Sequence, residues 1–236
     1  MSFSDRAATE ARGWLKAGVV AVAIWLVLRS YVVEAFRIPS PSMENTLLVG
    51  DFLFVDKTGY GGQFQVPFVG WRFLRLPGYA EPHRDGIVIF RSVEDSTPNL
   101  DVVKRMLGVP GDTLQMINDT LVRNGRRLEE PYALHLAEGA GENAPAILTQ
   151  MRARQLPHYV GSDPQHYQPT PHSWGPLVVP RDSFWVMGDN RDLSWDSRYW
   201  GFLPRSHVEG RPLIIYMSVA LDPFRIRWNR LLRRPS

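Results

Sequence analysis

Cysteine is absent from the 236-residue sequence, so disulfides, thiolate catalysis and cysteine-based zinc sites are excluded. The chain also lacks an H-E-x-x-H zinc motif, a G-x-S-x-G nucleophile elbow and an S-x-x-K pair. Excess charge is small. The 27 Lys and Arg against 24 Asp and Glu leave +3, and no basic helix or stacked-aromatic motif accompanies it, so nucleic acid is not an expected partner. Of the six histidines, only His83 lies outside the 131–180 region and the C-terminal third, in a polar Glu-Pro-His-Arg-Asp turn. A Ser-His-Asp triad has no footing there. Gly139–Ala144 fits a loose dinucleotide pattern but follows no strand, and is set aside. No internal repeat is present. The uncharged apolar stretch, Ala17–Leu28, falls short of the ~20 residues that span a bilayer.

What the chain does have begins at Trp14. Residues 14–33 (WLKAGVVAVAIWLVLRSYVV) reach roughly 30 Å as a helix, enough to cross if Lys16 and Arg29 snorkel to the two interfaces. Trp14 and Tyr31 suit headgroup level. The expectation is one transmembrane anchor over 14–33, preceded by a tail over 1–13. Two other readings stand beside it: a cleaved secretory signal ending at Val33-Glu34-Ala35, and a helix buried in a soluble core. Arg6, Arg12 and Lys16 precede the span, while Arg29 and Arg37 follow it, which leans toward an inside N-terminus.

Nineteen prolines and nineteen glycines among many Val, Ile, Phe and Trp residues favour short strands over a helical bundle. Apolar runs at Leu47–Val55, Ile87–Phe90, Val102–Leu107, Thr113–Ile117 and Thr120–Val122 are punctuated by turn residues, including Asn118-Asp119 and Asn124-Gly125. The expected fold class is mainly β: an antiparallel catalytic domain over 34–130 and 181–225, with an irregular inserted subdomain over 131–180. Ser183–Met187 and Pro212–Met217 complete the sheet, and 226–236 forms a basic tail, read as a solvated end or a contact to anionic headgroups. Phe64–Leu76 reads either as a core hairpin or as an aromatic loop dipping into lipid.

The chemistry gathers in three blocks. In an extended strand, Val102, Lys104 and Met106 share one face, while Asp101, Val103 and Arg105 share the other. Lys104 thus projects among apolar neighbours, and Arg105 can keep its charge near Asp101. A free lysine is neutral roughly one time in two thousand at pH 7. Burial lowers its pKa, as a working base requires. Ser40 and Ser42 each border a proline in a stiff Ile-Pro-Ser-Pro-Ser segment, and in extended geometry two serines at i and i+2 point the same way. One can attack a carbonyl while the other, with the Ser42 amide, receives the oxyanion. The third block, Gly188–Arg198, supplies hydroxyls and a charged pair in a turn-rich segment.

Phe36–Asp51 (FRIPSPSMENTLLVGD), Val103–Asp112 (VKRMLGVPGD) and Gly188–Gly201 (GDNRDLSWDSRYWG) resemble the signature blocks of bacterial type I signal peptidases, in the family's order and spacing. The resemblance implies a Ser-Lys serine endopeptidase in the cytoplasmic membrane, with its catalytic domain on the extracytoplasmic side and no cofactor or metal. Its substrates would be preproteins cleaved after a small-x-small sequence, with membrane lipid and the secretion translocon as further partners. By position, Ser42 is the implied nucleophile and Lys104 the general base. Ser40 is the oxyanion donor, Ser194 orients the lysine amine, and Asp196 and Arg198 form a supporting ion pair. Phe36, Ile38, Met43, Leu47, Val102 and Val103 match the lining of the pockets for two small residues. Pro41, Glu44-Asn45 and Asp85-Gly86 depart from the family pattern at places that carry no reacting atom. Rival readings are a relative with a conjugation, pilus or self-cleavage substrate, and an anchored, non-catalytic β scaffold at the translocation site.

Overall fold

A computed structural model of the protein describes residues 3–27, 33–61, 63–65, 72–75, 77–94, 96–98, 100–136 and 144–235. Helix α1 (Phe3–Val27) comes first. The expected span over 14–33 needs correction at both ends. The helix begins well before Trp14, and Val33 opens strand β1 (Val33–Arg37), while residues 28–32 lie outside the described set. Asp5, Arg6, Glu10, Arg12 and Lys16 load its first half with charge, and no helix among the described residues is long and apolar enough to cross a membrane. The buried-helix reading fails, because residues 12–25 are exposed throughout, including Trp14, Leu15, Val19 and Ile24.

The rest is antiparallel β structure. After β1 come β2 (Asp51–Asp56), the short pair β3 (Gln63–Gln65) and β4 (Arg72–Arg75), β5 (Ile87–Arg91) and β6 (Asp101–Gly108). Next are β7 (Thr113–Ile117), β8 (Thr120–Arg123), β9 (Arg126–Arg127), helix α2 (Pro145–Gln155) and β10 (Trp174–Val178). The chain ends with β11 (Ser183–Met187), the short helix α3 (Ser197–Trp200), β12 (Leu203–Pro204), β13 (Val208–Leu221) and β14 (Phe224–Ile226). The main sheet runs β1-β2-β13-β5-β6-β11-β12, with β14 paired to β13. A second sheet runs β10-β7-β8-β9.

Turn chemistry sets the hairpins. Asn118 and Asp119 between β7 and β8, and Asn124 and Gly125 between β8 and β9, all have positive φ, the geometry of a tight two-residue hairpin. Leu47–Gly50, expected to lead into a strand, is instead a turn, and pairing begins at Asp51. Residues 131–180 are less irregular than their sequence suggests: they hold α2, and β10 pairs with β7 through Leu177 and Leu114. Their lack of alternation has a physical cause. The strand contains Gly175 and Pro176 and draws its register from β7 across a bulge. Phe64 pairs with Phe73 across β3 and β4, but Phe68 and Trp71, on which the lipid reading rested, lie outside the described residues.

Strand β6 divides two apolar clusters. Val88, Phe90, Met106 and Val186 are buried on one side, with Val102 packed against them. Ile38, Met43, Leu47, Leu53, Ile87, Ile89 and Ile215 are buried on the other, with Phe36 and Val103 against them. The 226–236 tail is not a free end. Leu232 N–H donates to Ile215 O at 2.8 Å, Ile215 N–H donates to Arg233 O at 2.9 Å, and Arg230 pairs with the buried Asp51.

Candidate active site

Ser40 is extended (φ −130°, ψ 155°), as its place before Pro41 requires. The chain then departs from the expected extended path. Pro41–Met43 forms a single 3-10 turn, closed by Glu44 N–H to Pro41 O at 2.9 Å. Proline favours this first helical position because its φ is already fixed and its missing N–H costs nothing there. The hydroxyls of Ser40 and Ser42 still approach, at 3.4 Å. Ser42 is buried while Ser40 stays exposed. Met43, fully packed beside Ile38 and Leu47, pins the turn to the core.

Lys104 is 3% exposed and pairs across the sheet with Val88. Burial pushes its pKa down to about 8, with nearby Asp196 opposing the shift and Arg198 adding to it. A neutral amine is then present about one time in ten at pH 7, some two hundredfold more often than for a free lysine. Lys104 and Ser42 line one cavity of about 160 Å³, together with Phe36, Ile38, Met43 and Val102. They share it without a direct hydrogen bond, an arrangement common before substrate closes such a site. A larger cleft of about 600 Å³, bounded by Glu81, His83, Arg84, Asp182 and Arg205, lies elsewhere, and no serine lines it.

The Gly188–Arg198 segment wraps behind this pair. Asn190 N–H donates to Ser42 O at 3.1 Å, fixing the Ser42 turn through its backbone. Gly188 admits no side chain: an added Cβ would sit 2.3 Å from Ser194 Oγ and 2.4 Å from Ser42 O. Ser194 donates to Asp196 Oδ2 at 2.7 Å and accepts from Gly188 N–H at 3.1 Å. The expected bond from Ser194 to the Lys104 amine is not among these contacts. Asp196 and Arg198 form the expected pair, Nε to Oδ1 at 2.9 Å, with both side chains buried. Burial alone would raise the Asp196 carboxyl, yet Arg198, then Lys104 and the Ser194 hydroxyl, hold it below the usual carboxylate range.

Other members of the site were not foreseen. Arg105 turns to Asp189 rather than to Asp101, with Nε and Nη2 on its two oxygens at 2.8 and 2.7 Å and its guanidinium 3.8 Å over the Tyr132 ring. Thr46 donates to the same Asp189 and accepts from Arg105 Nη2 at 3.2 Å. Strand alternation foretold that Arg105 faces away from Lys104. It could not name a partner 84 residues distant. From α2, the buried Gln155 donates to Arg198 O at 2.8 Å, so the 131–180 region braces the Asp196 segment. Of the six residues expected in the small-residue pockets, Phe36, Ile38, Met43, Val102 and Val103 line the cavity, joined by Leu100 and Asp101. Leu47 does not; it is a core residue supporting Met43.

Known proteins are similar to this chain in sequence. Residues 11–217 match the family described as signal peptidase, peptidase S26. The chain is 34% identical over 207 residues to the signal peptidase I of Pseudomonas aeruginosa, covering 83% of this chain and 68% of that relative. It is 32% identical over 205 residues to the signal peptidase I of Bacillus licheniformis, covering 86% and 87%. A crystal structure of a signal peptidase I from Enterococcus faecalis V583 shares 32% identity, covering 56% of this chain and 96% of that one, with a TM-score of 0.36.

Proposed function

The chain belongs to the signal peptidase family, peptidase S26, and we propose that Ser42 and Lys104 carry its chemistry. It is a serine endopeptidase that removes signal peptides from preproteins. In the proposed sequence, Ser42 Oγ attacks the scissile carbonyl carbon as neutral Lys104 Nζ takes the hydroxyl proton. The resulting oxyanion accepts hydrogen bonds from the Ser42 N–H and the Ser40 hydroxyl. Collapse breaks the C–N bond, and the lysine ammonium returns its proton to the departing amine. Water, deprotonated by the same amine, then frees Ser42 from the acyl-enzyme.

One observation carries this reading: a lysine whose pKa burial brings to about 8 shares a small cavity with a buried serine. Ser194 retains acceptor capacity beyond its present bonds, enough to orient the lysine amine. Asp196 and Arg198 hold Ser194 in place. The cavity volume of about 160 Å³ suits small side chains and excludes long ones, which supports cleavage after small residues. The exposed apolar surface of α1, including Trp14, Val19 and Ile24, supports a role in holding the domain at a bilayer, with the site on its extracytoplasmic side. Membrane lipid and the secretion translocon complete the proposed setting.

In vitro processing of a secretory precursor tests the reading. The purified protein cleaves it, and the Ser42→Ala variant loses roughly four or more powers of ten in rate, as nucleophile removal does in other serine peptidases. Substantial residual cleavage by a folded Ser42→Ala variant would remove Ser42 from its role.

A further inference from the structure

The segment after β14 reaches back to the turn that carries Ser42. Trp228–Arg230 forms a 3-10 turn, and the next residues are tied to β13 by the paired bonds of Leu232 and Arg233 with Ile215. Two arginines of this segment point inward: Arg227 Nη1 donates to Val49 O at 3.0 Å and Ser218 Oγ at 3.2 Å, and Arg230 reaches Asp51. Arg230 Nε lies 3.0 and 3.2 Å from the two carboxylate oxygens of Asp51, and its Nη2 lies 2.5 Å from Oδ2. The same Nη2 donates to the carbonyl oxygen of Thr46 at 2.8 Å. Asp51 is fully buried and also accepts from Leu48 N–H at 2.9 Å and Ser218 Oγ at 2.6 Å.

Thr46 closes the next turn of the chain, which follows directly from the one that carries Ser42. Its N–H, and that of Leu47, donate to Met43 O at 3.1 and 2.7 Å. Its hydroxyl is already fixed by Asp189 and Arg105. The Thr46 side chain is therefore held by the buried ion pair behind β6, and its carbonyl by the C-terminal strap. Thr46, held at these two points, anchors the backbone that runs on from the Ser42 turn.

We propose that Arg230 is a positioning residue for Ser42, so that the C-terminal strap is a working part of the active site. The proposal rests on Ser42 being the nucleophile. A guanidinium is required because three contacts diverge from one planar group: two carboxylate oxygens and a carbonyl. A lysine can neutralise Asp51 but cannot also reach Thr46 O with the same geometry. Loss of such a restraint acts on rate, since misplacing a reacting group by ~1 Å costs about a hundredfold.

The test uses the full chain and a secretory precursor, with Arg230→Lys, Arg230→Gln and Arg230→Ala compared with the parent. Expected is a fall in kcat of about tenfold or more for Gln and Ala, a smaller fall for Lys, and KM within about twofold. The rate at which a serine-directed acylating inhibitor labels Ser42 falls in parallel. Guanidinium ion at tens of millimolar restores part of the Arg230→Ala rate and leaves the parent rate unchanged. A kcat at the parent value in Arg230→Gln, below a lowered melting temperature, would mean that the strap serves stability alone and would overturn the proposal. Should Arg230→Ala fail to fold, the kcat of Arg230→Lys decides: equality with the parent sinks the idea, a selective fall in kcat sustains it. The Ser42→Ala variant keeps the two claims apart, because cleavage by that variant refutes the nucleophile whatever the Arg230 series does.

Discussion

Strand β6 has two buried cations side by side, and its two faces treat them differently. Lys104 and Arg105 are each 3% exposed. Arg105 meets a fully buried carboxylate in bidentate contact, a backbone carbonyl at Asp85, and an aromatic face. Four of its five N–H donors find partners, on Asp189, Asp85 O and Thr46, which offsets the cost of burying a guanidinium. Lys104 meets apolar side chains and a cavity, with the Asp196 charge largely committed to Arg198. Its proton is therefore loosely held, at a pKa of about 8. Burial by itself does not make a base. Burial of an amine that lacks partners does, and here the folded chain supplies one face of a strand and starves the other, where an amine rather than a guanidinium stands.

The largest effect expected from attacking this comparison is on chemistry. Lys104→Met removes the base and abolishes precursor cleavage, and Lys104→Arg does the same, because a guanidinium stays protonated across the working range. Activity retained by Lys104→Arg would show that charge at this position, not its loss, matters. In the parent protein, the rate rises with pH along a limb centred near 8, where the amine becomes neutral. A rate profile flat between pH 7 and 9 would contradict the neutral base.

On the other face, Asp189→Ala strands Arg105 without its partner and should destabilise the fold by about 3–5 kcal/mol, read from denaturant unfolding. The same measurement on Lys104→Met should move the opposite way. A lysine whose pKa is lower folded than unfolded binds fewer protons in the native state, so stability rises with pH between about 8 and the ordinary value of 10.5. Below pH 8 the whole cost is present, about 3 kcal/mol, and Lys104→Met should recover much of it at pH 7 and little above pH 10. A Lys104→Met variant less stable than the parent at pH 7 would show that the amine is better accommodated than the cavity suggests. The smallest change expected is Ser40→Ala. Its hydroxyl is exposed and 3.4 Å from Ser42 Oγ, so loss of this oxyanion donor should lower kcat by about 10–100-fold, at or below the usual range for such donors, with little change in stability.

Much of the β framework was legible because its signals are local. Apolar alternation marked β5, β6, β7, β8 and β11, and Asn118-Asp119 and Asn124-Gly125 gave the hairpins between β7, β8 and β9. The serine pair and the lysine stood out for the same reason: prolines stiffen one, and alternation with Val102 and Met106 orients the other. What escaped was set by distant neighbours. Strand β10 takes its register from β7, and Arg105 takes its carboxylate from the β11–α3 connection. Gln155 reaches Arg198 from a helix in a region that reads as irregular. At the N-terminus, an apolar run announced a helix from Trp14, but its start at Phe3 lay in a charged stretch where hydropathy gives no boundary.

By itself, the sequence determined which groups are available: two hydroxyls beside prolines, a lysine on an apolar strand face, and a turn-rich segment with a carboxylate and an arginine. Residue type and short-range geometry are enough for that, since backbone alternation and proline's fixed torsion act over a few positions. Only the tertiary structure decided how far the lysine is desolvated and which carbonyl each arginine grips. Those outcomes depend on desolvation and on partners brought together from remote parts of the chain, and no local pattern encodes either.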